Sequence, residues 1–310
     1  MPAECLTFEP LYMERIWGGR KLQSYFGRTL PGTNPIGESW ELVDREDAQS
    51  IVSESTLRGV SLHEIWTNYR EELFGEGYDF LRFPILVKIL DASDILSLQV
   101  HPGQKETIDD LAEPKAEIWY IVATEEQAGN YVGLKQNVRR IDFESAVKTG
   151  NVLNLLHWVP SQRDSYIFIP GGRLHAIGAG NVIFEIQQNS DTTYRVFDWN
   201  RLDVSGKPRQ LHIEESLRCI NFNDFEPALS KGDGENLVTC DGFRVDRWFL
   251  KEDRQANLIP KFSIFQVVRG IVSFGRRRFG RGDLFLVPAG SHESALKPHE
   301  GTATVLRTTL

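Results

Sequence analysis

Gln99 and His101 lie two residues apart in "SLQVHP", Glu117 sits in "PKAEIWY", and His175 follows the tight turn of "IPGGRLHA". In a β-strand, residues two apart point to the same side. Ser97, Gln99 and His101 therefore share one face of the first segment, and Leu96, Leu98 and Val100 share the other. Lys115, Glu117 and Trp119 share a face of the second. A strand face of this kind looks either at water or at something that takes lone pairs. Two imidazoles, a carboxylate and an amide carbonyl, drawn from three β segments, suit a divalent first-row metal, foremost Zn2+ with water at an open position. Each histidine alone also has a plain reading as a hydrogen-bonded core or loop residue; the combination favours the metal. His157, in "LLHWV", reads as core, and His63, His212, His292 and His299 have no partner pattern.

A second cluster follows in "GAGNVIFEIQQNSDTTYRVFDWNR". Ile183, Glu185 and Gln187 share one strand face, and Thr193, Arg195 and Phe197 share another. Glu185 and Arg195 thus occupy positions that line the interior of a barrel or stand outside as a salt-bridged pair. A buried arginine is rare unless it is paired or meets an anion.

Many short strands must position these residues. "PILVKIL" (84–90), "EIWYIVA" (117–123), "SYIFIP" (165–170), "VIFEIQ" (182–187), "FRVDRWFL" (243–250), "FSIFQVV" (262–268), "DLFLVP" (283–288) and "ATVLRT" (303–308) are separated by turns such as "PGG", "GAG" and "PAG". Strands of this length and punctuation predict a mainly β sandwich or barrel. Helices are expected at 62–75 and 142–159, the second broken at Gly150. "YIFIPGGRLHAI" and "LFLVPAGSHES" echo one another, which predicts two copies of one β unit. Only the first copy has the ligand pattern. The polar stretch "NDFEPALSKGDGEN" (223–236) suggests a linker, dividing the chain into 1–230 and 231–310.

The 310 residues include 41% apolar types with 18 Phe and 7 Trp, enough for a large core, and a net charge of −8. That charge argues against non-specific nucleic-acid or membrane-surface binding, though a local basic cluster still admits a small anion. No apolar run approaches the roughly 20 residues of a membrane helix. The opening "MPAECLTFEP" lacks a basic and an apolar region, so no secretory leader is expected. Cys5, Cys219 and Cys240 form no framework, which fits a reducing, cytoplasmic setting.

Together, "WGGRKL", "GESWEL", "SLQVHP", "PKAEIWY", "IPGGRLHAIGAG" and "EIQQNSDTTYRVFDW" resemble the type I phosphomannose isomerases, zinc-dependent cupins, in their short bacterial form. The resemblance runs over nearly the whole chain. It implies two cupin-type (jelly-roll) β units with short helical insertions, and one zinc ion held by Gln99, His101, Glu117 and His175. It implies Arg195 as a catalytic residue and places Lys115 and Ser97 at the substrate site. Arg201 stands where the family has a basic residue implicated in phosphate contact, and Trp17 and Glu38 match residues near the pocket. The larger helical domain of the long members is absent here. The implied substrate is a small phosphosugar, mannose 6-phosphate or fructose 6-phosphate, interconverted through an enediol(ate). A carboxylate must carry the proton between C2 and C1, and Glu185 is the candidate. Lys115 and Arg201 are candidates for the phosphate, with a sugar hydroxyl as the other option for Lys115. Two further readings stay open at this level: a cupin Fe(II) oxygenase, since two histidines and a carboxylate also form that site, and a phosphosugar-binding module without turnover.

Overall fold

The computed structural model describes residues 5–104, 112–203, 206–232, 234–257, 261–291 and 295–310. His292 lies outside the described residues. The fold is mainly β, and the chain forms two compact units. One comprises Tyr12–Ser39 and Ile89–Lys231; the other comprises Met1–Leu11, Trp40–Lys88 and Gly232–Leu310.

The unit that holds Gln99, His101, Glu117 and His175 contains an antiparallel five-stranded sheet. Its order is Leu156–Pro160, Gly129–Leu134, His175–Ile177, Leu98–Val100 and Tyr194–Phe197. A second sheet starts with Tyr166–Ile169, Glu117–Thr124 and Asn181–Gln188, and continues through Ile85–Ala92, Ile36–Leu42 and Leu11–Gly19. One apolar cluster draws Val132, Val159 and Ile177 from the first sheet and Trp17, Leu90, Trp119, Ile121 and Ile183 from the second. A further cluster joins Leu98, Val100, Leu134, Leu156, Ala176 and Val196 to Phe143, Val152, Cys219 and Ile220. Helices Arg140–Thr149 and Ile213–Cys219 supply Phe143 and Cys219. The apolar face of "SLQVHP" is thus the one these helices cover, and its polar face is turned the other way.

The other unit is built on a seven-stranded sheet around Ala295–Thr309 and Ser263–Phe274. Its core stacks Phe279 on Phe285 (ring centroids 4.0 Å apart) and includes Trp248 and Phe265.

Three expectations need correction. The chain does not divide linearly at residue 230. Cys5 belongs to the core with Trp248 and Phe285, and Phe74 and Phe83 pack on Phe262 with ring centroids at 5.2 and 5.6 Å. The apolar faces of the N-terminal segments are therefore buried on residues far along the chain. The helical stretch 62–75 is two short helices, Leu62–Asn68 and Arg70–Phe74, the first started by a Ser61–Glu64 capping box. The stretch 142–159 is helical only as Arg140–Thr149 and a 3-10 turn, Val152–Leu155; Gly150 (φ 73°) closes the helix in the left-handed conformation. Leu156–Pro160 is a strand, since it pairs with Gly129–Leu134. His157 consequently sits half-buried on a strand, not on an apolar helix.

Candidate active site

The ligand candidates are brought together by strand register. His175 stands opposite Gln99 in one ladder, and Arg195 stands opposite Gln99 in the next. Glu117 stands opposite Gln187, and Trp119 opposite Glu185. Directly opposed residues point to the same side of a sheet, so each pair shares a face.

His101, Glu117 and His175 are buried, and one donor atom from each lies within 4.8 Å of the others. Both imidazoles are held by main-chain carbonyls. His101 Nδ1 donates to the Thr192 carbonyl (2.9 Å), and His175 Nδ1 donates to the Arg173 carbonyl (2.8 Å). Their Nε2 atoms are left as lone-pair donors, the arrangement found around ligating histidines. Arg173 is itself fixed by Asp224 through two contacts of 2.8 Å. Gln99 Nε2 lies 3.3 Å from His175 Nε2, and the Ser97 hydroxyl donates to Gln99 Oε1 at 3.3 Å. Rotating that amide by half a turn brings its carbonyl oxygen to the imidazole side.

Lys115 Nζ, also buried, lies 3.2 Å from His101 Nε2 and 3.2 Å from Glu117 Oε2. Burial, then the charge of Lys115, pushes His101 down to about 3, and burial also lowers His175. Burial by itself would raise Glu117, but Lys115 with His101 and His175 outweighs it and holds the carboxyl well below its ordinary value. The donor set is therefore two neutral imidazoles and one carboxylate, the forms a metal requires. Glu117 Oε2 is buried beside the Lys115 ammonium and 3.5 Å from His101 Nε2. A carboxylate grouped with two imidazole lone pairs in this way fits a cation.

Glu185 takes the inward placement. It is buried, and its Oε2 accepts from Trp119 Nε1 at 3.1 Å. Arg195 is half-buried. Its NH1 donates to the Gln210 carbonyl (2.8 Å), while its Nε is buried without a hydrogen-bond partner among the described residues. Burial, then Arg209, lowers its pKa, and Asp198 works in the opposite direction. Arg201 donates from NH2 to Asp198 (2.8 Å) and from NH1 to the Ile95 carbonyl (2.5 Å); its Nε is likewise buried and makes no hydrogen bond among the described residues. Trp17 lies in the apolar cluster that contains Trp119, and Glu38 accepts from Arg15 Nε at 2.6 Å.

Arg209 was not legible in the sequence. It holds Asp198 with Nε at 2.7 Å and NH2 at 2.5 Å, opposite Arg201. Burial alone would raise Asp198, but these two arginines keep it below the usual carboxylate range. "SGKPRQ" offers no periodicity to mark Arg209. The only hint was a lone aspartate beside arginines in a turn-rich stretch.

A family model for the phosphomannose isomerase type I catalytic domain matches residues 6–127. Mannose-6-phosphate isomerase ManA of Bacillus subtilis (strain 168) is 33% identical, over 96% of this chain and 97% of its own length. The chain belongs to the type I phosphomannose isomerase family. The mannose-6-phosphate isomerase of Streptococcus mutans is 32% identical, over 90% of this chain and 92% of its own. The crystal structure of the mannose 6-phosphate isomerase from Bacillus subtilis matches with a TM-score of 0.87 at 28% identity, covering 99% of each chain. A mannose 6-phosphate isomerase bound with zinc and yttrium shares the fold, with a TM-score of 0.75 at 15% identity, over 99% of this chain and 100% of its own. The stretch matched by the type I family model includes Gln99, His101 and Glu117. His175, Glu185, Arg195 and Arg201 lie beyond it, within the span covered by the full-length relatives.

Proposed function

We propose that this type I family member interconverts mannose 6-phosphate and fructose 6-phosphate, with one zinc ion held by Gln99, His101, Glu117 and His175. The observation that carries the reading is the buried His101–Glu117–His175 donor set, with both Nδ1 atoms committed to carbonyls. Relatives named for this reaction support the substrate. When bound, the ion would supply Lewis-acid polarisation of the sugar oxygens.

The remaining roles fall to the chain's own groups. Arg195, opposite Gln99, offers a fixed positive charge to the enediolate that forms as the C2 proton leaves. Glu185, buried beside the donor set, carries that proton between C2 and C1. Lys115 has its ammonium among the metal donors and contacts a sugar oxygen rather than the phosphate. Arg201, with a buried and uncommitted Nε–H, holds the phosphate. Ser97 orients Gln99, and Trp17 and Glu38 line the substrate side. No helix among the described residues is long and apolar enough to cross a membrane; Cys5, Cys219 and Cys240 form no disulfide among the described residues, which is in keeping with a reducing, cytoplasmic location.

The test is a coupled assay for fructose 6-phosphate formed from mannose 6-phosphate, before and after chelation, with zinc restored. Activity that disappears and returns with zinc is expected. A zinc-loaded, folded sample that fails to turn over refutes the reading.

A further inference from the structure

The Trp119 indole touches both carboxylates of the site. Its Nε1 lies 2.9 Å from Glu117 Oε1 and 3.1 Å from Glu185 Oε2, so one N–H is shared between the two. All three side chains are buried. The ring also meets His175 edge-on, with centroids 5.3 Å apart and planes at 78°. Trp119 therefore contacts two of the proposed metal ligands and the proposed proton carrier. Register enforces this geometry: Trp119 is two residues from Glu117 on one strand and directly opposite Glu185 on the next.

An indole N–H only donates and does not titrate in the working range. Placed between two buried carboxyl groups, it donates to one oxygen of each. It also makes the two oxygens of Glu117 unequal. Oε1 accepts the indole N–H and lies 3.6 Å from His175 Nε2, whereas Oε2 faces Lys115 Nζ at 3.2 Å and His101 Nε2 at 3.5 Å.

We propose that Trp119 is the positioning residue of this centre: its shared N–H fixes the Glu117 carboxylate facing His101 and His175, and holds Glu185 relative to it. This rests on the reading of His101, Glu117 and His175 as metal ligands.

Trp119→Phe keeps an aromatic ring and removes the N–H. Loss of a partner that orients a ligand typically costs 10- to 100-fold in metal affinity, so zinc affinity measured against a competing chelator should fall by about 10- to 100-fold. In the Co2+-substituted protein the visible absorption band should change, because Glu117 loses the partner that orients it. Glu185→Gln keeps an acceptor oxygen for the indole. It should retain zinc affinity and the Co2+ spectrum, while its turnover reports separately on Glu185 as proton carrier. Unchanged affinity and spectrum in Trp119→Phe overturn the proposal. Failure of the wild type to bind either ion overturns the metal reading and this inference with it. A second measurement needs no variant. In protein labelled with 15N-tryptophan, one indole resonance of the seven tryptophans should be both shifted by Co2+ and protected from solvent exchange. Absence of such a resonance also overturns the proposal.

Discussion

On the phosphate role proposed for Arg201, replacing it by Ala should separate phosphate recognition from chemistry. The Arg201 side chain is 16% exposed and spends NH1 on the Ile95 carbonyl and Asp94, and NH2 on Asp198. Its buried Nε makes no hydrogen bond among the described residues and is the donor assigned here to the phosphate. A hydrogen bond to a charged group is worth about 1.5–3 kcal/mol. At about 1.4 kcal/mol per tenfold, losing that bond to phosphate raises KM for mannose 6-phosphate roughly 10- to 150-fold. The fold should tolerate the change. Asp198 keeps two contacts from Arg209, and Asp94 is more than half exposed, so the stability cost is about 1–2 kcal/mol. The assay compares steady-state kinetics on mannose 6-phosphate and unphosphorylated mannose, with a thermal melt as control. Activity on mannose should change less than about twofold, since it has no phosphate for a charge-assisted hydrogen bond. Arg201→Lys should recover only part of the loss, because an ammonium restores charge but not the Nε–H in its fixed plane. Equal losses on both sugars, or an unchanged KM for mannose 6-phosphate, would refute the reasoning.

Three further outcomes are expected. Arg195→Ala should retain zinc yet lose about 100- to 1000-fold in kcat, the usual cost of removing one donor to a developing oxyanion; wild-type turnover in the zinc-loaded variant sinks that role. Burial, assisted by Lys115, holds His101 near about 3 and also lowers His175, so both stay neutral in the fold while the unfolded chain takes protons near its ordinary value of 6.5. The chelated protein is therefore fully stabilised above about pH 6.5 and loses up to about 5 kcal/mol from His101 alone as pH falls toward 3; a flat urea-unfolding profile across that window contradicts this. At Gly171 an added Cβ would lie 2.4 Å from Gly103 Cα and 2.7 Å from the Pro102 carbonyl oxygen. Gly171→Ala should cost about 1–3 kcal/mol by overpacking and weaken zinc binding, because the displaced segment follows His101 directly; undiminished zinc affinity would show that this turn does not hold the histidine.

The donor set was legible because strand periodicity is strict. Alternation in "SLQVHP" and "KAEIW" assigns Gln99, His101 and Glu117 to definite faces without reference to the rest of the fold. What alternation could not convey is which face looks inward. Leu98 and Val100 invite the reading of a core beneath them, and they do have one, formed with residues from helices whose positions only the tertiary fold determines. Leu156–Pro160 was read as helix because a short apolar run carries no period of its own; its pairing with Gly129–Leu134 decided the matter. Arg209 escaped because its place depends on a loop closing onto Asp198, a contact without sequence spacing. The linear domain division failed for a similar reason, as Cys5 and Phe74 find their apolar partners more than a hundred residues away.

The strand Leu98–Val100 is only three residues long, yet it holds Gln99 in line with His175 on one side and Arg195 on the other. A slip of one residue would exchange its two faces completely. Leu98 and Val100 would then enter the polar interior, and Gln99 would be pressed into the apolar layer of Phe143 and Cys219. There is no half-correct state between these alternatives. The oily side of the strand thus proofreads the chemical side: residues packed in the apolar layer decide, in a single all-or-none step, whether the row of Gln99, His175 and Arg195 exists at all.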